Sequence, residues 1–311
     1  MSRFLVTGGA GFIGSHIVEL LLQKGHEVCV FDNFSSGKEE NLSFADNKIK
    51  IIKADVRDSR SLAQATKGMD YIVHEAALPS VSKSVEAPVT STEINLMGTL
   101  NVLAAAKENR VKRVFFASSS AVYGEEETLP KTENSSCVPV SPYGIQKYTC
   151  ELYCKVFTRY HNLETVCLRY FNVFGPKQNP DSEYAAVIPI FLRKMLRGQA
   201  PVIFGDGSQT RDFVFVKDVA RATISALMAP DVSGKVFNIA SGTKITINQL
   251  VAALNKILKS NLKPIYTELR SGDIKHSYAD VSLARESFGY QPVAEFEKGL
   301  AETASYLKKM L

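Results

Sequence analysis

Residues 4–14 read FLVTGGAGFIG. A short apolar run suited to a strand gives way to glycines at 8, 11 and 14. The periodic stretch that follows, closed by Gly25, reads as a helix over 12–24. Glycine lets the chain turn tightly and brings backbone amides close to a phosphate, and the first turn of a helix offers unpaired N–H groups and a partial positive charge. Such a loop alone is a weak signal, so its surroundings decide. The second β-rich run, Glu27–Phe31, leads into Asp32, about 20 residues past the loop, where a carboxylate accepts hydrogen bonds from ribose hydroxyls and repels a 2′-phosphate. Strand, loop, helix and acid together predict a dinucleotide site for NAD rather than NADP. It is expected to use Gly8, Gly11, Phe12, Ile13, Gly14 and Asp32, with Asn33, Ser36 and Gly37 in the turn beyond. Asp55 and Val56, after the third run, fall where an adenine edge would lie, although Asp55 serves equally well as a turn cap.

Working outward, the first half alternates β-rich runs with helical patterns. Candidate strands are Phe4–Thr7, Glu27–Phe31, Ile49–Lys53, Tyr71–His74, Arg113–Ala117 and Thr165–Leu168, each apolar enough to be buried on both faces. Helical segments lie near 12–24, 59–67, 92–109 and 143–161. This order predicts an α/β fold with a doubly wound parallel sheet. Beyond Asn172 the pattern breaks into pieces punctuated by glycine and proline, with the run VFNIA (236–240) and a helix near 246–258 resuming inside it. Residues 1–174 are expected to form the dinucleotide-binding domain, with elements near 213–240 returning to it. Residues 175–311 are expected to form a smaller mixed α/β substrate-binding lobe.

Composition narrows the function classes. The chain has 311 residues, 45% of them hydrophobic, enough for a large core and against global disorder. Its net charge of +5 is spread over both signs without a basic stripe, so no nucleic-acid partner is expected. The five cysteines, Cys29, Cys137, Cys150, Cys154 and Cys167, form no CxxC pair, and no metal is expected. They read as reduced thiols of a cytoplasmic protein. The sequence opens directly into a strand without a leader pattern, and no window has the apolar length to cross a bilayer.

Chemistry enters at SPYGIQKYTCELY (141–153), where Tyr143 and Lys147 lie one helical turn apart on one face. A phenol titrates near pH ~10 unless positive charge stabilises its anion, and an ammonium with a nicotinamide cation would do so. Tyr143 is then a candidate general base, with Lys147 also holding a ribose. Ser118, Ser119 and Ser120 follow the strand RVFFA, at the sheet edge where doubly wound folds bind ligands. Three hydroxyls there serve equally as strand-end caps.

The glycine spacing at 8, 11 and 14, HEAA at 74–77, SSSAVYG at 118–124 and Tyr143-x-x-x-Lys147 together resemble the extended short-chain dehydrogenase/reductase superfamily, a Rossmann-like fold. The motifs span the chain in family order. The resemblance implies further NAD contacts at Ala76, Ala77 and Asn95, a catalytic triad of Ser119, Tyr143 and Lys147, and Ser120 beside the substrate. Related sugar-nucleotide 4,6-dehydratases carry Asp-Glu after the catalytic hydroxyl residue, and related UDP-glucuronate decarboxylases carry Glu. Here Ser120 and Ala121 stand there. Without that acid, elimination lacks a proton donor, and reversible oxidation at one carbon remains.

The stretch 168–191, LRYFNVFGPKQNPDSEYAAVIPIF, resembles the sugar-nucleotide segment of UDP-hexose 4-epimerases, with Asn172 as the matching contact. Its YAAVIP part is similar to bacterial UDP-N-acetylglucosamine 4-epimerases and sets Val187 near a uracil. Arg211 and Arg270 match the family's two diphosphate-clamping arginines, Asp273 the acid beside the second, and Ser277 the residue that gates the sugar's C2 substituent. A serine there, in place of tyrosine, leaves room for an acetamido group. The resemblance therefore implies a UDP-sugar 4-epimerase acting on UDP-GlcNAc/UDP-GalNAc and also UDP-Glc/UDP-Gal. It also implies a homodimer through the helices near 92–109 and 143–161. A UDP-glucuronate 4-epimerase and a non-catalytic NAD-binding regulator are the competing readings.

Overall fold

A computed structural model describes residues 1–46, 48–179, 186–268 and 275–310. β1 (Arg3–Thr7) runs through the glycine loop into α1 (Phe12–Gln23), followed by β2 (Glu27–Asp32), β3 (Lys50–Lys53), α2 (Ser59–Ala65), β4 (Tyr71–His74), α3 (Val81–Glu86), α4 (Pro88–Thr92), α5 (Gly98–Glu108), β5 (Arg113–Ser119), α6 (Pro142–His161) and β6 (Glu164–Tyr170). The second half adds β7 (Asn172–Phe174), α7 (Val187–Leu196), β8 (Val202–Phe204), β9 (Thr210–Arg211), β10 (Phe213–Phe215), α8 (Val216–Met228), β11 (Lys235–Ile239), β12 (Ile245–Thr246), α9 (Ile247–Leu258), β13 (Ile265–Thr267), α10 (Ser282–Phe288) and α11 (Phe296–Lys308).

Seven strands form one parallel sheet in the order β11-β6-β5-β4-β1-β2-β3. The expected doubly wound architecture is therefore the observed one. The chain builds outward in one direction from β1 and in the other from β4, so the boundary between these two strands is the switch point where such sheets bind ligands. Side chains alternate across the strands. Phe4, Val6, Val73, Phe115 and Leu168 join the core under α1 and α8, while Leu5, Ile72, Phe116 and Cys167 join the core under α2, α5 and α6. A third core packs the lobe around Phe174, Phe213, Phe215, Leu250 and Leu300.

Two expectations change in detail. The third strand is not buried on both faces: β3 is the sheet edge, flanked by Lys50 and Lys53, with Ile51 45% exposed. Charged residues on an edge oppose further strand pairing. The helix expected over 92–109 is divided by a π turn at Glu93–Met97. That wider turn frees the Asn95 carbonyl, which accepts from Thr99 Oγ1 at 2.6 Å and Cys150 Sγ at 3.5 Å.

Candidate active site

The glycine loop closes on β4 at the switch point. Gly8 adopts a φ of +71° and donates its amide to the Phe31 carbonyl, while a β-carbon on it would stand 2.6 Å from the Ala76 amide nitrogen. A β-carbon on Gly14 would stand 2.2 Å from the Gly8 carbonyl oxygen. Both positions therefore exclude a side chain, and the cradle they shape is bare backbone. Gly11, at the start of α1, supplies no side-chain cap to the helix amides. Phe12 and Ile13 open that helix. Unpaired amides, a positive helix end and no side chain in the way fit a diphosphate.

Asp32 ends β2 and is 7% exposed. Its Oδ2 accepts from the Ala10 amide at 2.9 Å and its Oδ1 from the Phe34 amide at 2.8 Å. The carboxylate thus braces the loop, and each oxygen retains a lone pair for a ribose hydroxyl. Gly37 presses on Ala10, where a β-carbon would meet it at 2.9 Å, and Ser36 is exposed beside it. Asn33 donates to Asp55 Oδ2 at 2.8 Å. Asp55 is held chiefly by a bidentate Arg57, with both contacts at 2.9 Å, and these bonds set its carboxyl far below the usual range. It is the turn cap, and Val56 follows it with its carbonyl taken by Asn101. Asn95 spends its amide inside the protein, accepting from the Leu78 amide at 2.7 Å and donating to Gln146 at 2.8 Å. It thereby holds the Leu78 backbone, just past Ala76 and Ala77.

A histidine that the motif reading leaves without a role ties these pieces together. His74 lies 2.7 Å from Thr7 Oγ1 and 3.0 Å from Thr99 Oγ1. Thr99 already donates to the Asn95 carbonyl, so it accepts from His74 Nε2–H, and Nδ1 accepts from Thr7. Burial, with Lys147 nearby, pushes His74 down to about 3. The unfolded chain takes up this proton below an ordinary value of 6.5 while the folded chain refuses it to about 3, so this contribution to stability is lost as pH falls through that window. The stability difference between wild type and His74→Gln should shrink by ~1.4 kcal/mol per pH unit on acidification. Urea unfolding at several pH values measures this, and parallel curves for the two proteins would contradict it.

α6 begins with Ser141, whose hydroxyl accepts the Gly144 amide at 3.1 Å, and with Pro142 in the first turn. Gly144 lets that turn pack against the end of β5: a β-carbon there would lie 2.6 Å from the Ala121 carbonyl oxygen. Tyr143 is therefore carried to the turn containing Ser119 and Ser120, and its amide donates to Ser84 on α3 at 3.1 Å. Lys147, 4% exposed, donates to the Ala117 carbonyl at 2.7 Å and stands 5.8 Å from the Tyr143 ring centre. Ser119 Oγ accepts from the Ala121 amide at 3.1 Å, a bond that leaves its own hydrogen to give.

On the lobe side, Asn172 donates its amide and its Nδ2 to the Asp212 carbonyl at 3.1 and 3.2 Å. Arg211 on β9 donates to the carbonyls of Thr210 and Lys275. Ser277 hangs on the same edge through its amide and the Thr210 carbonyl, so Arg211 and Ser277 share one ledge. Val187 opens α7, partly buried against the lobe core. Arg270 and Asp273 lie outside the described residues. The motif reading does not single out Asp212, which binds the Ser241 amide and hydroxyl, the Gly242 amide and the Ala279 amide, and so joins three segments of the lobe. Its one signal in sequence is a carboxylate set in the apolar context RDFVF. Among the described residues no group of three or more His, Cys, Asp or Glu is arranged to hold a metal, and no helix is long and apolar enough to cross a membrane.

Comparison with known proteins agrees with this geometry. A UDP-N-acetylglucosamine 4-epimerase from Methanobrevibacter ruminantium, solved with UDP-N-acetylmuramic acid, superposes with a TM-score of 0.96 at 44% identity, over 100% of this chain and 99% of that one. The Thermus thermophilus UDP-glucose 4-epimerase, solved with NAD, superposes with a TM-score of 0.88 at 34% identity, over 99% and 100%. The UDP-glucose 4-epimerase of Mycolicibacterium smegmatis is 36% identical over 310 residues, 98% of each chain. Residues 4–240 match the NAD dependent epimerase/dehydratase family. That match takes in the loop, the Tyr143–Lys147 helix and the returning strand β11, and on it the chain belongs to this family, with NAD as its cofactor.

Proposed function

We propose that the protein is a UDP-hexose 4-epimerase that interconverts UDP-GlcNAc with UDP-GalNAc and UDP-Glc with UDP-Gal. The observation that supports this is the packing of the first turn of α6, which carries Tyr143, on the turn after β5, which follows Ser119, while positions 120 and 121 supply no carboxylate. Bound NAD supplies a hydride acceptor and donor for the sugar's C4. Tyr143 takes the C4 hydroxyl proton and later returns it, Ser119 relays it, and Lys147 stabilises the phenolate in between. The flat 4-keto sugar must present its other face, so the chain has to grip the diphosphate and leave the hexose loose. Arg211 and Asn172 supply grip from the lobe, residues 1–174 with the return at 213–240 hold the cofactor, and residues 175–311 hold most of the sugar nucleotide.

Incubating the purified protein with UDP-Glc, UDP-GlcNAc and their uronic acids, without added NAD, and resolving C4 epimers by NMR tests the reading. Products from the first two support it, and turnover of the uronic acids alone would replace it. Ser277→Tyr should cut turnover of the acetamido sugar by ~10–100-fold while sparing UDP-Glc. Equal losses on both sugars would remove Ser277 from the specificity argument.

The same reading includes a homodimer. The outer face of α6 leaves Ile145, Leu152, Tyr153, Val156 and Tyr160 exposed in a helical stripe, and Met97, on the π turn before α5, is exposed as well. Apolar residues at that spacing suit a partner helix. Light scattering should return twice the 34.2 kDa chain mass. A cytoplasmic site of action accords with five free cysteines, four of them buried.

A further inference from the structure

Glu75, one residue past β4, donates its amide to the Thr7 carbonyl at 3.0 Å and packs its own carbonyl carbon against Gly8, 2.9 Å from where a β-carbon would stand. The residue as a whole is only half-buried, while its carboxyl group is enclosed. The side chain turns to the sheet face of α8, opposite His74. Drawn with Glu75 ionised, Tyr170 donates to its Oε1 at 2.9 Å. But the Tyr170 oxygen also lies 2.6 Å from Thr223 Oγ1, and Thr223 donates to the Val219 carbonyl at 2.9 Å. A carbonyl can only accept, so the Thr223 hydrogen is committed there, and the Tyr170–Thr223 contact needs the one hydrogen Tyr170 has. Three contacts share two hydroxyl hydrogens. All three close only when the third hydrogen sits on Glu75.

We propose that Glu75 is held as the neutral acid, first donor in the chain Glu75, Tyr170, Thr223, Val219, and that it is a positioning residue for catalysis. Uncharged, it leaves the whole field of Lys147 to the Tyr143 oxygen and sets no like charge beside the diphosphate loop. The inference rests on the reading of Tyr143 and Lys147 as the reacting pair. Burial acts in the same direction, raising the carboxyl to about 7 against the opposing pull of the Tyr170 bond and the Lys147 charge. The titratable groups that reach Glu75 are Tyr170 from β6, whose phenol burial keeps protonated, and Lys147 from α6. From β4 itself His74 is neutral, as is His16 on α1, pushed down to about 4 mainly by burial. From α8 comes the Thr223 hydroxyl, Arg221 and Asp218 there being paired with each other.

Infrared difference spectra of the holoenzyme between about pH 5.5 and about pH 8.5 read the proton directly, since only a protonated carboxyl gives the high-frequency C=O band. The band should disappear with a midpoint near 7 in the wild type and be missing from Glu75→Gln, which keeps a neutral donor. In step with it, wild-type kcat should fall by ~3–10-fold across the same range while Glu75→Gln stays flat. A band that titrates below about pH 5, or a variant whose kcat falls in parallel with the wild type, overturns the proposal. Should the variant not fold, the wild-type band alone decides. If no UDP-hexose is turned over, the epimerase reading fails, and the infrared midpoint still answers for Glu75.

Discussion

Tyr143→Phe is expected to lower kcat for UDP-hexose epimerisation by ~10²–10⁴-fold, the span that a positioned general base contributes. Phenylalanine keeps the ring, so the substitution leaves the backbone N–H hydrogen bond to Ser84 Oγ and the placement of Lys147 over the aromatic face intact. What is lost is the oxygen that, on the proposed mechanism, takes and returns the C4 proton. KM should change little if, as proposed, the diphosphate is gripped from the lobe, and NAD should remain bound, because the substitution leaves the glycine loop and Asp32 untouched. A variant that retains more than about a tenth of kcat would move the base to another group, with Ser119 a hydroxyl candidate. A loss of NAD along with activity would instead make Tyr143 a cofactor anchor. Steady-state rates paired with the cofactor content of the purified protein separate these outcomes.

The parts of the fold that depend on near neighbours in the chain are legible in its sequence. Continuous apolar runs mark β1, β2, β4, β5 and β6, and glycines at 8, 11 and 14 mark a loop in which a β-carbon at 8 or 14 has no room. Tyr143 and Lys147 need only one helical turn to meet. Contacts between distant segments are not legible in the same way. Asp212 is one charge in an apolar run until the segments at 241–242 and 279 arrive to use it. The edge position of β3 follows from strand order, which its own residues do not encode. Asn95 looks like a polar residue near a ligand, yet the π turn directs it inward to Leu78 and Gln146. Glu75 gains meaning only when β6 brings Tyr170 and α8 brings Thr223. Local chemistry therefore reveals the cofactor end of the site better than the lobe, where most partners come from far along the chain.

The largest stability effect should come from beneath Ser119. Glu151 on α6 and Arg169 on β6 form an ion pair at 2.7 Å with side chains only 2% and 4% exposed. Glu151 accepts two guanidinium bonds and the Ser118 hydroxyl, and the Arg169 guanidinium lies 4.8 Å from the Tyr123 ring centre. Arg169 Nη1 already has no hydrogen-bond partner among the described residues. Glu151→Gln leaves a buried cation without its counter-charge, which costs ~3–5 kcal/mol. Removing both charges with Glu151→Leu and Arg169→Met should return much of that loss, because the desolvation penalty disappears along with the attraction. The double-mutant cycle by urea unfolding then yields a large coupling energy. Turnover should follow a different order, since the double variant regains stability but not the anchor that fixes Ser118 and, through it, the position of Ser119. A double variant that recovers stability and kcat together would show that the pair only holds the helix to the sheet, with no part in aiming the serine.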